Sequence, residues 1–271
     1  MQLTPLYATA AITFFVAVAF APGAAHTQSV SGGPVDGKII EDLVAANRIL
    51  VNEGVLDAFG HVSIRHPGNP ERFLMGRNLA PALVKAEDIV EYDLDGNAIN
   101  PPPNVTHFLE RFIHGEVYRK RADVNAVVHS HSPNVIPFSA TQRPMRPLYH
   151  MSSFLAPGVP VFEIRKVAGM SNMLISNGAI GKALAETLGD KNVMLMRGHG
   201  DVIVAKTLPM AVFRAVYTEV NARLQLQAVA LGGPITFLEP EEGDKAMQVL
   251  DTIHLRAWDI WKRTALAQMA K

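Results

Sequence analysis

Residues Ala126 to Val135 read AVVHSHSPNV. A short, largely β-branched run leads straight into two histidines spaced i, i+2, and the rest of the chain is read outward from it. Side chains two positions apart in a strand share one face. His129 and His131 can therefore aim ring nitrogens at one point from a stiff scaffold. One core histidine beside one exposed neighbour would account for the pair alone at least as well, so the case depends on other ligands. Downstream, VMLMRGHGD sets His199 between two glycines directly after an apolar strand. Flanking glycines let a backbone turn tightly and approach a ligand. Three imidazoles with positions left open suit a catalytic rather than a structural metal site. Upstream, Glu110 and His114 stand i, i+4 in HFLERFIHGEVYRKR, which reads as a short helix with both residues on one face. Glu110 is then a fourth ligand, an acid/base beside the metal, or half of an ordinary surface pair.

The whole chain narrows the possibilities. Its 271 residues suffice for one large domain or two small ones, with a substantial core either way. Acidic and basic residues balance at 25 each, with no long basic run, which argues against nucleic acid and anionic membrane surfaces as partners. There is no cysteine, which excludes disulfides, zinc fingers and thiol nucleophiles; any metal must rely mainly on nitrogen and oxygen ligands. Residues 1–25 form an apolar leader. Ala8 to Ala21 is uncharged and too short to span a bilayer comfortably, and small residues near Ala25 suit signal-peptidase cleavage. No Lys or Arg precedes the run, so a non-cleaved anchor or a misassigned start are the other readings. A signal peptide implies a periplasmic or secreted protein; a start-site artefact implies a cytoplasmic one. Residues 26–35 read as a flexible lead-in, and 36–271 as one folded domain.

Within that domain, apolar residues from Ile39 to Leu50 recur at helical steps and stop at Gly54. GHVSIRHPGNPERFLMG reads as a hairpin turning at Pro67 to Pro70. EDIVEYDLDGNAI reads as a second strand pair turning at Asp95-Gly96-Asn97. VMLM is a buried strand that DVIVA extends, Pro209 to Leu231 a long helix, and 245–270 a last helix carrying both tryptophans. Helices interleaved with hairpin-linked strands predict an α/β domain, a mixed or antiparallel sheet covered by helices.

The ordered motifs resemble the class II aldolase/adducin family. HFLERFIHGEVYRKRADVNAVVHSHSP is similar to its Glu–His–Tyr–AVVHxH signature, DAFGHVSIR to its G-N-(L/V)-S-x-R strand, and VMLMRGHGDVIVAKTLPMAVFRAVYTEV to its H-G strand and following helix. The likeness runs from about Asp36 to Gly233. It implies a three-layer α/β/α domain with a central, mainly antiparallel sheet, assembled as a homotetramer with sites at subunit boundaries. It implies metal ligation by His129, His131 and His199, with Glu110 as the catalytic glutamate that also touches the metal. The implied cofactor is a divalent ion, zinc first, with manganese or another as alternatives.

Departures from the family pattern refine the substrate. The Asn of GN(L/V)S is His61, next to Ser63; a hydroxyl-rich loop is LMGRNLAP, with Arg77 and Asn78; and a Ser-Ser pair is Phe108-Leu109. Two apolar side chains cannot hold a phosphate dianion, whereas an Arg and a His can hold a carboxylate. His61, Ser63, Arg77 and Asn78 are thus the expected substrate contacts, and His150, where family aldolases carry a tyrosine, a second acid/base. These replacements resemble the decarboxylases of 3,4-dihydroxyphthalate and hydroxy-carboxy-muconic semialdehydes. The implied reaction is metal-dependent decarboxylation of a carboxylated catechol or such a semialdehyde, through the enolate left by departing CO₂. The alternatives are aldol cleavage or epimerisation of a non-phosphorylated sugar acid, and a non-catalytic adducin-like module.

Overall fold

A computed structural model of the protein describes Met1 and residues 30–269. The expected leader beyond its first residue, and the first part of the lead-in, lie outside the described residues.

The chain opens its folded part with α1 (Gly37–Asn52), whose N-terminus is capped by the Asp36 carboxylate accepting the Lys38 N–H at 2.9 Å. A three-stranded meander follows: β1 (His61–Arg65), β2 (Arg72–Gly76) and β3 (Ile89–Asp93). The hairpin expected at Pro67 to Pro70 is present, with Ser63 opposite Met75. The second expected strand pair is not. Past the Asp95-Gly96 turn only one bridge forms, Tyr92 to Ala98. Three successive prolines, Pro101 to Pro103, follow at once and have no N–H to continue a ladder. Next come α2 (Arg111–Lys120), β4 (Ala126–Ser130), α3 (Ile136–Ala140), β5 (Val161–Phe162), α4 (Arg165–Ala168) and α5 (Gly178–Leu188).

β6 (Val193–Met196) does not run on into DVIVA. The chain turns at Gly198, whose φ is +61°, and β7 (Gly200–Ala205) returns antiparallel, pairing Met196 with Gly200. The long helix α6 (Leu208–Leu231) begins where expected, with Thr207 Oγ1 accepting the Met210 N–H and Pro209 in the first turn. The last expected helix is two, α7 (Pro240–Ile253) and α8 (Leu255–Met269), parted at His254. Among the described residues no helix is long and apolar enough to cross a membrane.

The strands form one seven-stranded sheet in the order β3-β2-β1-β4-β7-β6-β5, antiparallel at every junction except β5 with β6. Strand parity divides the core in two. Val62, Ile64, Ala126, Val128, Ile203 and Ala205 pack beneath α1, α6 and α8. Met75, Val127, Met194, Val202 and Val204 pack beneath α2 and α5. The three-layer α/β/α architecture with a mainly antiparallel sheet is the one expected. Burial on both faces explains why β4 and β7 read as unbroken apolar runs rather than alternating ones. Parity also places His61, Ser63 and His129 on the α2 side, because they alternate with Val62, Ile64 and Val128.

Gly200 is where β4 and β7 come closest. A Cβ there would lie 1.8 Å from the Ser130 carbonyl oxygen, which belongs to backbone and cannot swing aside. Gly200→Ala is therefore expected to lower stability by about 1–3 kcal/mol or more, as overpacking does. A falling guanidinium midpoint with an unchanged slope checks it; an unmoved midpoint would contradict the close approach.

Candidate metal centre

Four chain segments meet at one end of the sheet. His61 opposes His129 across the β1–β4 ladder, and the β6–β7 turn carrying His199 lies beside the end of β4, where Ser130 pairs with Asp201. His131 is one residue beyond β4 and keeps the face of His129, as the i, i+2 spacing requires. The three imidazoles of His129, His131 and His199 stand with ring centroids 5.0–5.1 Å apart. Glu110 joins them, and one ligand atom from each of the four lies within 4.8 Å of the others.

Glu110 is the residue before α2 rather than a member of it, with φ −92° and ψ +16°. That corrects the expected Glu110–His114 pairing on a helix face. The Glu110 carboxylate turns to the histidines, its Oε2 lying 3.4 Å from His129 Nε2 and 3.5 Å from His199 Nε2. Its Oε1 accepts the Ile175 backbone N–H at 3.0 Å, which fixes the plane of the carboxylate. His114 points into the sheet instead, to His61 and Ser63.

Backbone carbonyls set the histidine tautomers. His129 Nδ1–H donates to the Asp201 carbonyl at 2.9 Å, and His199 Nδ1–H to the Met173 carbonyl at 3.2 Å. Each leaves an Nε2 lone pair facing the cluster, the arrangement in which imidazoles bind metals. Met173 adopts φ +69°, a left-handed conformation that is unusual for a residue with a side chain. His129 Nε2 is wholly buried and has no hydrogen-bond partner among the described residues. His131 Nε2 and His199 Nε2 face each other at 3.1 Å. A buried nitrogen without a hydrogen-bond partner, two further imidazole nitrogens beside it and one carboxylate form a donor set that fits a divalent cation.

The electrostatics agree. Burial would raise the Glu110 carboxyl, but contact with His129 and His199 outweighs it and holds the group well below the usual carboxylate range. The His131 imidazole is pushed down to about 4 by burial and by the charges of His129 and His199. Burial would lower His129, yet Glu110 raises it above its ordinary value. The site is thus an anionic carboxylate among imidazoles, a charge balance suited to a dication.

A second polar network braces the opposite face of the sheet. Ser130 Oγ donates to Asp201 Oδ1 at 2.5 Å, and Ser132 Oγ and Asn134 Nδ2 donate to the buried Glu219 carboxylate of α6. These bonds pin the Ser130–Asn134 loop from which His131 projects. Burial pushes the Asp201 carboxyl up to about 7. Nothing in the reading of the sequence singled out Glu219; the one carboxylate within α6 was the available signal. Ile175 and Met173 act only through backbone atoms and leave no side-chain signature.

The remaining expected residues are placed as follows. His61 is buried beside the site, its ring 5.1 Å from that of His129 and 4.7 Å from that of Phe108. Arg77 follows β2 directly and donates from Nε to Asp88 Oδ1 at 2.6 Å; Asn78 is exposed beside it. Ser63 is corrected: it is fully buried and both its side-chain partners are protein groups, His114 Nδ1 and Tyr118 OH, because strand parity turns it beneath α2. His150 lies apart from the cluster within the single chain. It is exposed at the head of a 3-10 segment that packs on α6 and α7, and it touches none of the four cluster residues.

Residues 41–226 match the model of the Class II Aldolase and Adducin N-terminal domain. The chain is 36% identical over 247 residues to decarboxylase tropJ of Talaromyces stipitatus, covering 83% of this chain and 92% of that one. It is 31% identical to a 3,4-dihydroxyphthalate decarboxylase of Arthrobacter keyseri, over 72% of this chain and 80% of the relative. In three dimensions it is similar to L-fuculose 1-phosphate aldolase from Glaciozyma antarctica, with a TM-score of 0.72 at 21% identity over 88% of this chain and 95% of that one, a likeness of fold.

Proposed function

The chain belongs to the class II aldolase and adducin family, and on that premise we propose that it is a divalent-metal-dependent lyase that removes CO₂ from a carboxylated catechol or a hydroxy-carboxy-muconic semialdehyde. The observation that carries this reading is the convergence of Glu110, His129, His131 and His199, with the Nε2 lone pairs of His129 and His199 directed inward. The similarity to two decarboxylases supports loss of CO₂ over aldol cleavage.

His129, His131 and His199 would hold the cation, zinc first, with manganese or another divalent ion as alternatives. When bound, it supplies a Lewis acid that draws off the negative charge left when a carbon–carbon bond breaks. Glu110 takes the proton of a substrate hydroxyl and returns it to the carbon that loses CO₂. Its Oε1 stays on the Ile175 N–H, so Oε2 is the oxygen that carries the proton. Arg77 keeps its Nε on Asp88, which leaves its terminal nitrogens for the substrate carboxylate. The apolar pair Phe108-Leu109 disfavours a phosphate there.

Arg77→Ala is expected to raise KM for a carboxylated substrate roughly tenfold or more, in line with loss of a charge-assisted hydrogen bond, with a smaller change in kcat. An unchanged KM would remove Arg77 from the substrate site.

The reading as a whole is tested by metal reconstitution under anaerobic conditions, followed by carboxylated catechols and sugar acids, scoring CO₂ against aldehyde. CO₂ from the catechols is the expected outcome. Aldehyde from a sugar acid would make the chain an aldolase, and inertness with a filled metal site would favour a non-catalytic module.

A further inference from the structure

A chain of four buried polar side chains runs from the metal centre into the core beneath α2. His61 Nδ1 lies 2.6 Å from His114 Nε2, His114 Nδ1 lies 2.6 Å from Ser63 Oγ, and Ser63 Oγ lies 2.7 Å from Tyr118 OH. All four are buried, with exposures of 4%, 0%, 0% and 1% from His61 to Tyr118, so water offers them no alternative partners. Each contact holds one proton, and the question is on which side.

The deep end decides. Among the described residues, the only acceptor offered to the Tyr118 hydroxyl proton is Ser63 Oγ; the Val127 amide bears on the same oxygen as a donor. Tyr118 must therefore donate to Ser63. Ser63 has a single hydroxyl proton and must pass its donation on to His114 Nδ1. His114 Nδ1, being the acceptor, carries no hydrogen, so the ring's proton sits on Nε2 and is donated to His61 Nδ1. His61 Nδ1 is the acceptor in turn, so His61 carries its proton on Nε2. The reverse polarity would leave a buried tyrosine hydrogen without an acceptor, the kind of vacancy folded proteins avoid.

We propose that Tyr118, Ser63 and His114 form a one-way relay that fixes His61 as an Nε2–H donor, which gives that edge to an anionic oxygen of the substrate and keeps a fourth imidazole out of the metal's ligand set. The second half rests on the metal-lyase reading; the relay itself does not. His61 Nε2 has no protein partner among the described residues, and its ring lies 5.1 Å from that of His129. With a lone pair at Nε2, His61 would compete for the cation; with a proton there it cannot. Its ring is thus near the centre yet outside the group of four that can converge on one ion. Tyr118, Ser63 and His114 are positioning residues, and His61 is the group that meets substrate.

The test is nitrogen-15 NMR of the full chain labelled at histidine, first free of metal and then with zinc. The expected result is a proton bonded to His114 Nε2 that also couples through the hydrogen bond to His61 Nδ1, with His61 Nε2 at the shift of a protonated nitrogen. Zinc should move the Nε2 resonances of His129, His131 and His199 and leave His61 Nε2 protonated. A proton resting on His61 Nδ1, or loss of the His61 Nε2 proton on adding zinc, would overturn the proposal. Ser63→Ala should weaken the coupling between the two rings; an undiminished coupling would take Ser63 out of the relay. With 3,4-dihydroxyphthalate as the probe substrate, His61→Leu should raise KM about tenfold or more with a smaller change in kcat. His61→Gln, whose amide can still donate, should recover most of that loss. An unchanged KM in His61→Leu sinks the substrate role. A zinc-loaded wild type inert towards the probe counts against the functional reading instead, while the relay is judged by NMR alone.

Discussion

Glu110→Gln is expected to cut turnover about a hundred- to ten-thousandfold, the usual contribution of a positioned acid/base, while the protein still takes up zinc. The amide is nearly isosteric, and its oxygen can keep the Ile175 N–H that Oε1 accepts. His129 and His199 retain their carbonyl-fixed tautomers, so the ligand set loses only its carboxylate. What disappears is the ability to take a proton at Oε2, the oxygen 3.4 Å from His129 Nε2 and 3.5 Å from His199 Nε2. The measurement is kcat on the best substrate of the panel, with zinc content by elemental analysis as control. Turnover within threefold of wild type would remove Glu110 from the chemistry and leave it a ligand alone.

Zinc at about a thousand times its dissociation constant should stabilise the folded chain by about 4 kcal/mol, since binding to the native state adds to folding free energy. For a domain of this size that corresponds to a rise in Tm of roughly 10 °C. The rise comes from relieving a specific defect. Without an ion, His129 Nε2 is buried with no hydrogen-bond partner among the described residues, and the Nε2 atoms of His131 and His199 crowd together at 3.1 Å. His199→Gln should abolish the rise, and EDTA should reverse it in the wild type. A wild-type Tm indifferent to zinc and manganese alike would mean that the four side chains converge for another reason.

Much of this was legible in the order of residues, for local reasons. The i, i+2 spacing of His129 and His131 needs only strand geometry, and the glycines around His199 need only the demands of a turn. Periodicity likewise marked α1, the β1–β2 hairpin and α6, each with its own cap or turn residues. Other features depend on contacts periodicity does not encode. DVIVA returns beside VMLM rather than extending it because β7 finds β4 on its other side, and Gly200 permits the approach. α5 went unread because its opening, NGAIGKAL, is rich in glycine; Gly181 is needed where a Cβ would lie 2.7 Å from the Phe112 carbonyl of α2. Ser63 was placed at the substrate by its motif, yet the parity that makes β1 a strand turns it beneath α2.

The sequence supplied the candidate cluster of His129, His131, His199 and Glu110 and the layered sheet that carries it, through strand spacing, turn glycines and an ordered series of motifs that resembles a known family. Tertiary structure alone decided which oxygen of Glu110 is free, which nitrogen of His129 and of His199 is bare, and that His114 serves His61 rather than Glu110. Those are choices of hydrogen-bond partner, and the partners come from Ile175, Asp201, Met173 and Ser63, brought in from distant parts of the chain only when the layers close.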